Sequence, residues 1–492
     1  MERQIRRLAL GFLILFVALA ANINYLQVIA AEDLYNDDAN LKRQLIDEYN
    51  VARGTIVAGD RQTVLAISRR TGGQLKYLRR YPTDPALGYG HLTGFYSIVF
   101  GKTELESTYN DYLAGRADEL FPQRLVDEFL GRDQKGASIV LTIDPDLQDV
   151  AVRALGDEVG AVAAIDPQTG AVLALVANPT FDPNPLASHR PRQVRRAYEA
   201  LNPEDPRSPM VSNATDTFFP PGSSFKIVTA AAALEDGMTP QDTIPNPPAL
   251  DVPQTDRDIH NFGGGQCPGG SQITLASALQ VSCNVAFGQL GLDLGAEKLV
   301  EQAHRFGFSQ DVTFDIPFVE AEIPDVAAFQ DDLPAVAQSA IGQRDVRTNA
   351  LHMALVAGAI GNGGVMMQPR LVEEIRDPAG RVFRELGPQV YGRPMSAPNA
   401  ATLTDMMVAV VAAGTGTAAQ IPGVSVAGKT GTAQTAENES PHAWFVAFAP
   451  AGDPQIAVAV VVLNGGSLGN EATGGALSAP IAQQVIEAGL SG

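Results

Sequence analysis

The chain opens with a basic cluster, Arg3, Arg6 and Arg7, and then turns apolar across residues 8–21. Hydrophobicity continues more weakly through Ile23, Tyr25, Leu26, Val28 and Ile29. A positive flank ahead of about 20 membrane-compatible residues predicts one spanning helix, with everything after it outside the cytoplasm. Ala18-Leu19-Ala20 also fits a signal-peptide cleavage site, so a removed leader is the alternative. Total apolar length favours the retained anchor.

Residues 32–136 are charged and mixed in pattern, with short strand-like pieces at 53–57 and 64–67 and no catalytic constellation. From Ala137 the periodicity sharpens. Residues 138–143 predict a strand and 145–155 a helix, and 161–178 predict two strands joined by a hairpin at Asp166-Pro167-Gln168-Thr169-Gly170. The Pro- and Arg-rich stretch 179–222 reads as loop throughout. A helix is expected over 224–236, opened by Pro220-Pro221 and stopped by Gly237 and Pro240. A Pro/Gly-rich loop, 238–270, leads to helices near 274–282 and 285–305. Three β runs, 424–433, 443–449 and 456–463, predict an antiparallel meander. Strands, a helical block and strands again predict an α+β domain over 137–492. Ahead of it lie a tail and anchor (1–31) and a small, mixed α/β, non-catalytic domain (32–136).

Composition narrows the function. A net charge of −20 repels phosphate backbones, so no nucleic-acid partner is expected. The six histidines include no H-E-x-x-H, and the two cysteines have no metal-ligand spacing, so neither a metal nor a cofactor is expected. In an oxidising, outside-facing domain, Cys267 and Cys283 make a reasonable disulfide pair. Two free thiols, with Cys283 buried as a small apolar residue, are the alternative.

GVSVAGKTGTAQ, 423–434, supports two readings. Gly423 to Thr430 spells a phosphate-binding P-loop, and Lys429-Thr430-Gly431 spells the K-T-G box of serine acyltransferases. A P-loop needs a flexible loop and then a helix starting at the Lys. Val424-Ser425-Val426-Ala427 alternates like a strand, and Gly431 follows the Thr, so that test fails. GTGTAA (414–419) and GGSLG (465–469) imitate nucleotide and hydrolase motifs. They read as ordinary Gly-rich turns, because Pro422 blocks the first motif's helix and no His follows the second.

Lysine usage is more informative. The chain has seven lysines against 28 arginines, and only Lys226, Lys298 and Lys429 follow residue 136. Arg cannot lose its proton near neutral pH, whereas a desolvated or crowded Lys can, so these three are candidates for proton transfer. Lys226 closes the S-x-x-K run Ser223-Ser224-Phe225-Lys226. Ser282-Cys283-Asn284 is S-x-N, and Lys429-Thr430-Gly431 follows in order. Ser223 at a helix N-terminus would sit where developing negative charge is favoured. Lys226, one turn on, would reach its hydroxyl proton.

These boxes, with IDPQTGAVLALVANPTFDPN (165–184), SAIGQ (339–343), AIGNGGVMMQP (359–369) and HAWFVAFAP (442–450), resemble the class B penicillin-binding proteins. RGTIV (53–57) and GKTELESTYNDYLAG (101–115) resemble that class's non-catalytic N-terminal domain. The resemblance implies a β-lactamase-like transpeptidase fold and an acyl-enzyme on Ser223, formed from a D-Ala-D-Ala stem peptide and passed to a neighbouring amine. It implies Lys226 as base, and Ser282 and Asn284 lining the site. Lys429 would add charge beside Ser282, and Thr430, Gly431 and Thr432 would hold the substrate carboxylate. The backbone N–H groups of Ser223 and Thr432 would form the oxyanion hole. It also implies covalent inhibition by β-lactams, and a SEDS-type glycan polymerase with division or elongation proteins as partners. A DD-carboxypeptidase, a β-lactamase and a non-enzymatic scaffold or sensor keep the same boxes and stay open here.

Overall fold

The computed structural model describes residues 2–30, 45–434 and 439–491. The boundary expected between residues 31 and 32 lies outside them. The N-terminal helix Glu2–Asn24 runs on into a π-helical turn, Tyr25–Ile29. Arg3–Ile29 forms a helical span of 27 residues that contains an 18-residue stretch of mean hydropathy 2.0, none of that stretch buried against the rest of the chain. That is the length and exposure of a single membrane anchor.

Two sheets organise the remainder. The five-stranded sheet runs Ala427–Ala433, His442–Ala449, Ile456–Val462, Gly160–Ile165, Val172–Asn178 in spatial order, every neighbour antiparallel. The expected meander is therefore closed by the expected hairpin, which brings the domain's two ends together. Its middle strands are buried at every residue because both faces are covered. Trp444, Val446, Phe448, Ala457, Ala459 and Val461 face one core, which includes helices Lys226–Glu235 and Ala350–Gly361. Phe445, Ala447, Val458 and Val460 face the other, with Leu147, Leu155, Ile481 and Val485 from helices Pro145–Leu155 and Ala479–Gly489. Strict alternation between two apolar layers explains why these strands read as continuous hydrophobic runs. The architecture is α+β, with three layers around this sheet.

The second sheet has six strands, in the order Val382–Glu385, Val372–Arg376, Ser138–Leu141, Ile56–Val57, Val64–Arg70, Tyr77–Arg80. Ser138–Leu141 is parallel to Ile56–Val57 and antiparallel to Val372–Arg376, so early and late parts of the chain share one hydrogen-bonded layer. Beside it, Arg53 and Arg79 both engage the fully buried Glu106 carboxylate.

Four expectations need correction. The strand expected over 424–433 begins only at Ala427, with Ile421 and Val424 joined instead in an isolated bridge. The loop expected over 238–270 holds short strands at Thr243–Pro245, Ala249–Leu250 and Ile259–His260. The stretch 179–222 is not loop throughout, because Pro191–Ala200 is a helix with Pro at its first turn. Only Val194 is buried on it, so its apolar stripe is too thin to register as periodicity. The helix expected from residue 224 begins as a 3-10 turn, Gly222–Phe225, and becomes α-helical only at Lys226–Glu235.

Candidate active site

The Gly222–Phe225 turn and the edge strand Ala427–Ala433 meet with no room for side chains. Gly222 has φ +53, and a Cβ there would lie 2.6 Å from the Thr432 carbonyl oxygen. A Cβ on Gly431 would lie 2.8 Å from both the Pro221 oxygen and Trp444 Cβ. Trp444 Nε1 donates to the Pro220 carbonyl at 3.0 Å, fixing the approach to the turn from the neighbouring strand. Glycine at 431 is thus required by close packing, and Lys429 and Thr430 ride on a strand rather than on a nucleotide-binding loop.

Ser223 is half-buried on this turn and opens into a cavity of about 1480 Å³. Ser282, Asn284, Thr430 and Thr432 line the same cavity. Ser282 sits between helices Leu275–Gln280 and Asn284–Arg305 with a positive φ of 60, a left-handed backbone unusual for a non-glycine residue. That conformation holds its hydroxyl between two lysines. Lys429 Nζ donates to Ser282 Oγ at 2.8 Å and to the Thr430 carbonyl at 2.9 Å. Lys226 Nζ donates to the Ser282 carbonyl at 2.8 Å and Asn284 Oδ1 at 2.7 Å, and lies 3.4 Å from Ser282 Oγ. No hydrogen bond joins Lys226 to Ser223 Oγ among the described residues.

Both lysines are fully buried. Burial, followed by the positive charge of Lys429, pushes the Lys226 amine well below the ordinary lysine range. Burial alone lowers Lys429 to about 7. An amine that has shed its proton at neutral pH can accept one, and a hydroxyl between two such amines can pass one on. Lys298, the third lysine singled out, is instead half-exposed and paired with Asp236 at 2.6 Å on the surface.

Cys267 and Cys283 are joined, with 6.1 Å between their Cα atoms. The bond ties the loop before residue 270 to the middle of the Ser282-Cys283-Asn284 run. Asn284 Nδ2 reaches the same loop, donating to the His260 carbonyl at 3.0 Å.

Sequence reasoning missed three neighbours. Thr415 Oγ1 lies 2.6 Å from Thr430 Oγ1, extending the polar wall. It belongs to GTGTAA, whose short-range pattern says only turn. Phe219 and His442 stack edge to face, 5.3 Å between ring centres, at the cavity wall. His442 Nδ1 accepts from the Asn464 N–H at 3.0 Å. His442 opens the run HAWFVAFAP, but no local signal pairs it with Phe219, because the fold brings the two together across more than 200 residues.

This geometry has close relatives. The penicillin binding protein transpeptidase domain family matches residues 160–487, and the penicillin binding protein A dimerisation domain family matches residues 53–139. The peptidoglycan D,D-transpeptidase PbpA of Mycolicibacterium smegmatis is 41% identical over 100% of this chain and 99% of its own length. That of Mycobacterium tuberculosis is 39% identical over 100% of both chains. Among solved structures, the ceftriaxone acyl-enzyme complex of M. tuberculosis penicillin-binding protein A superposes with a TM-score of 0.85 at 38% identity, covering 90% of this chain and 100% of that one. Sequence relatedness over the whole length, a matching fold and the lysine-flanked serine cavity lead to one assignment: this chain belongs to the class B penicillin-binding proteins, the family of serine DD-transpeptidases that includes PbpA.

Proposed function

We propose that Ser223 is the nucleophile of a membrane-anchored peptidoglycan transpeptidase and that Lys226 is its base. The observation that carries this reading is the convergence of Lys226 and Lys429 on Ser282 beside the Ser223 turn. Ser223 Oγ attacks the carbonyl between two D-alanines of a stem peptide as its proton passes to Lys226. The tetrahedral oxyanion lies between the N–H groups of Ser223 and Thr432. The C–N bond then breaks, and Ser282 hands the proton to the departing D-alanine amine. The resulting ester is attacked by an amine of a neighbouring stem, whose proton leaves by the same relay as Ser223 is regenerated and the cross-link forms. Thr430, Gly431 and Thr432 hold the substrate carboxylate, and Asn284 holds its amide. Lys226 leaves its partners on Ser282 and Asn284 as substrate arrives, since catalytic hydrogen bonds often form only in the complex.

β-Lactams stop at the ester stage, as in the relatives trapped with ceftriaxone and penicillin G. In this reading residues 32–136 and the transpeptidase domain, 137–492, lie outside the cytoplasm, where stem peptides are, and the apolar N-terminal helix supports it. A SEDS-type polymerase and division or elongation proteins are the partners this location fits. Labelling the full chain with fluorescent penicillin tests the nucleophile. Ser223→Ala abolishes the label, and a label retained on the folded variant refutes the assignment. With stem-peptide substrates a cross-linked dimer is expected. Trimmed monomer would make it a carboxypeptidase, and turnover of penicillin itself a β-lactamase.

A further inference from the structure

The helix Phe121–Phe129 carries an apolar face that no described part of the chain covers. Phe121, Leu125, Val126, Phe129 and Leu130 are 50–91% exposed, with Phe129 at the upper limit. Their spacing of four, five, eight and nine residues puts them on one side of the helix. Leu120, just before the helix, is buried and fixes its root in the domain. The Arg124 guanidinium lies 5.6 Å from the Phe121 ring centre, as when a cation rises along an apolar flank toward water. Outside the anchor, no other described helix exposes so many large apolar side chains.

We propose that this helix lies in the lipid–water interface beside the chain's own anchor, with Leu125 and Phe129 in the acyl boundary. Two observations favour lipid over protein as the occupant. First, only residues 31–44 separate the anchor from Leu45, and a chain spans at most about 3.5 Å per residue. Leu45, where the described domain begins, is therefore held within roughly 50 Å of the anchor's end, so that even a weak interfacial contact is favoured by high local concentration. Second, a nine-residue helix is about 14 Å long and offers a few hundred Å², well under the roughly 800 Å² per partner of a stable protein interface. Attraction to anionic lipid does not drive the contact, because the chain carries a net charge of −20. The driving force is apolar. The inference rests on the anchor and is independent of the chemistry assigned to Ser223.

The test uses the full chain in phosphatidylcholine/phosphatidylglycerol vesicles, with spin labels on cysteines introduced singly as Leu125→Cys, Phe129→Cys and, as a water-exposed control, Glu487→Cys. Collision with oxygen several-fold above collision with a water-soluble nickel complex is expected at 125 and 129, and the reverse at 487. Water-type behaviour at both 125 and 129 overturns the proposal. So does spin–spin broadening at 129 that survives dilution with lipid, which would assign the face to a second copy. In the double variant Leu125→Glu/Phe129→Glu, a label at Val126→Cys should move to water while penicillin labelling stays unchanged. An unmoved label would show that these two side chains do not insert.

Discussion

Lys226 and Lys429 share one hydroxyl: Ser282 Oγ is 3.4 Å from the first amine and 2.8 Å from the second. After burial, the charge on Lys429 is the next cause of the low proton affinity of Lys226. Below its pKa Lys226 is protonated and cannot act as a base, so in the proposed mechanism that pKa sets the acid limb of acylation. Lys429→Gln removes the opposing charge, and the limb should move to higher pH. Rate constants for penicillin acylation measured from acidic to neutral pH check this. An unshifted limb would mean that the two amines do not sense each other.

The same burial makes stability depend on pH in a defined direction. Lys429 titrates near 7 when folded and near 10.5 when unfolded, so between those values the unfolded chain holds a proton that the folded chain lacks. Stability from this group therefore rises as pH climbs from about 7 to 10.5. One pKa unit corresponds to about 1.4 kcal/mol, which makes the swing a few kcal/mol. Lys429→Met has no such term. Its melting temperature relative to the parent should be most favourable near pH 7 and lose ground toward pH 10.5, and a constant difference would contradict the assignment.

Gly431→Ala places a methyl where the Pro221 oxygen and Trp444 Cβ already sit at 2.8 Å. Overpacking of this kind costs about 1–3 kcal/mol, and relief requires the edge strand to back away from the Ser223 turn. Penicillin acylation should fall at least tenfold while the circular dichroism spectrum stays native. Undiminished acylation would mean that this contact does not set the catalytic spacing.

Reducing Cys267–Cys283 releases a loop closed over a sequence separation of 16, worth about 3 kcal/mol in the chain-entropy model. Thermal unfolding with and without reductant should show a lower midpoint after reduction. Mass measurement after alkylating the denatured, unreduced chain should find no adducts, and two after reduction.

The sequence made local and periodic features legible. The helix expected over 145–155 is Pro145–Leu155 in the structure, where the Asp144 carboxylate accepts from the Asp146 and Leu147 N–H groups at its start. Three β runs and one hairpin were readable because their residues alternate between two apolar layers. The boxes holding Ser223, Lys226, Ser282, Asn284, Lys429, Thr430 and Thr432 stand out because they are short; in the structure Ser223, Ser282, Asn284, Thr430 and Thr432 line one cavity, and Lys226 and Lys429 are buried behind Ser282. What stayed hidden depends on distance along the chain. The pairing of Ser138–Leu141 with Val372–Arg376 crosses more than 200 residues, as does the stacking of Phe219 on His442. The engagement of Lys226 with Ser282 and Asn284 rather than Ser223 depends on a left-handed Ser282 that no propensity predicts.

The six-stranded sheet makes the molecule mechanically continuous. Ser138–Leu141 is hydrogen-bonded to Ile56–Val57 on one side and to Val372–Arg376 on the other. A tug on the membrane-proximal strands loads that ladder in shear rather than stretching a loose tether. The strain passes through Thr142, whose Oγ1 donates to the Val172 carbonyl at 2.6 Å, into the edge of the five-stranded sheet. Four strands across that sheet is the one carrying Lys429. The N-terminal strands and the strand carrying Lys429 are thus joined by one continuous hydrogen-bonded path, backbone ladders linked through a single side-chain hydroxyl.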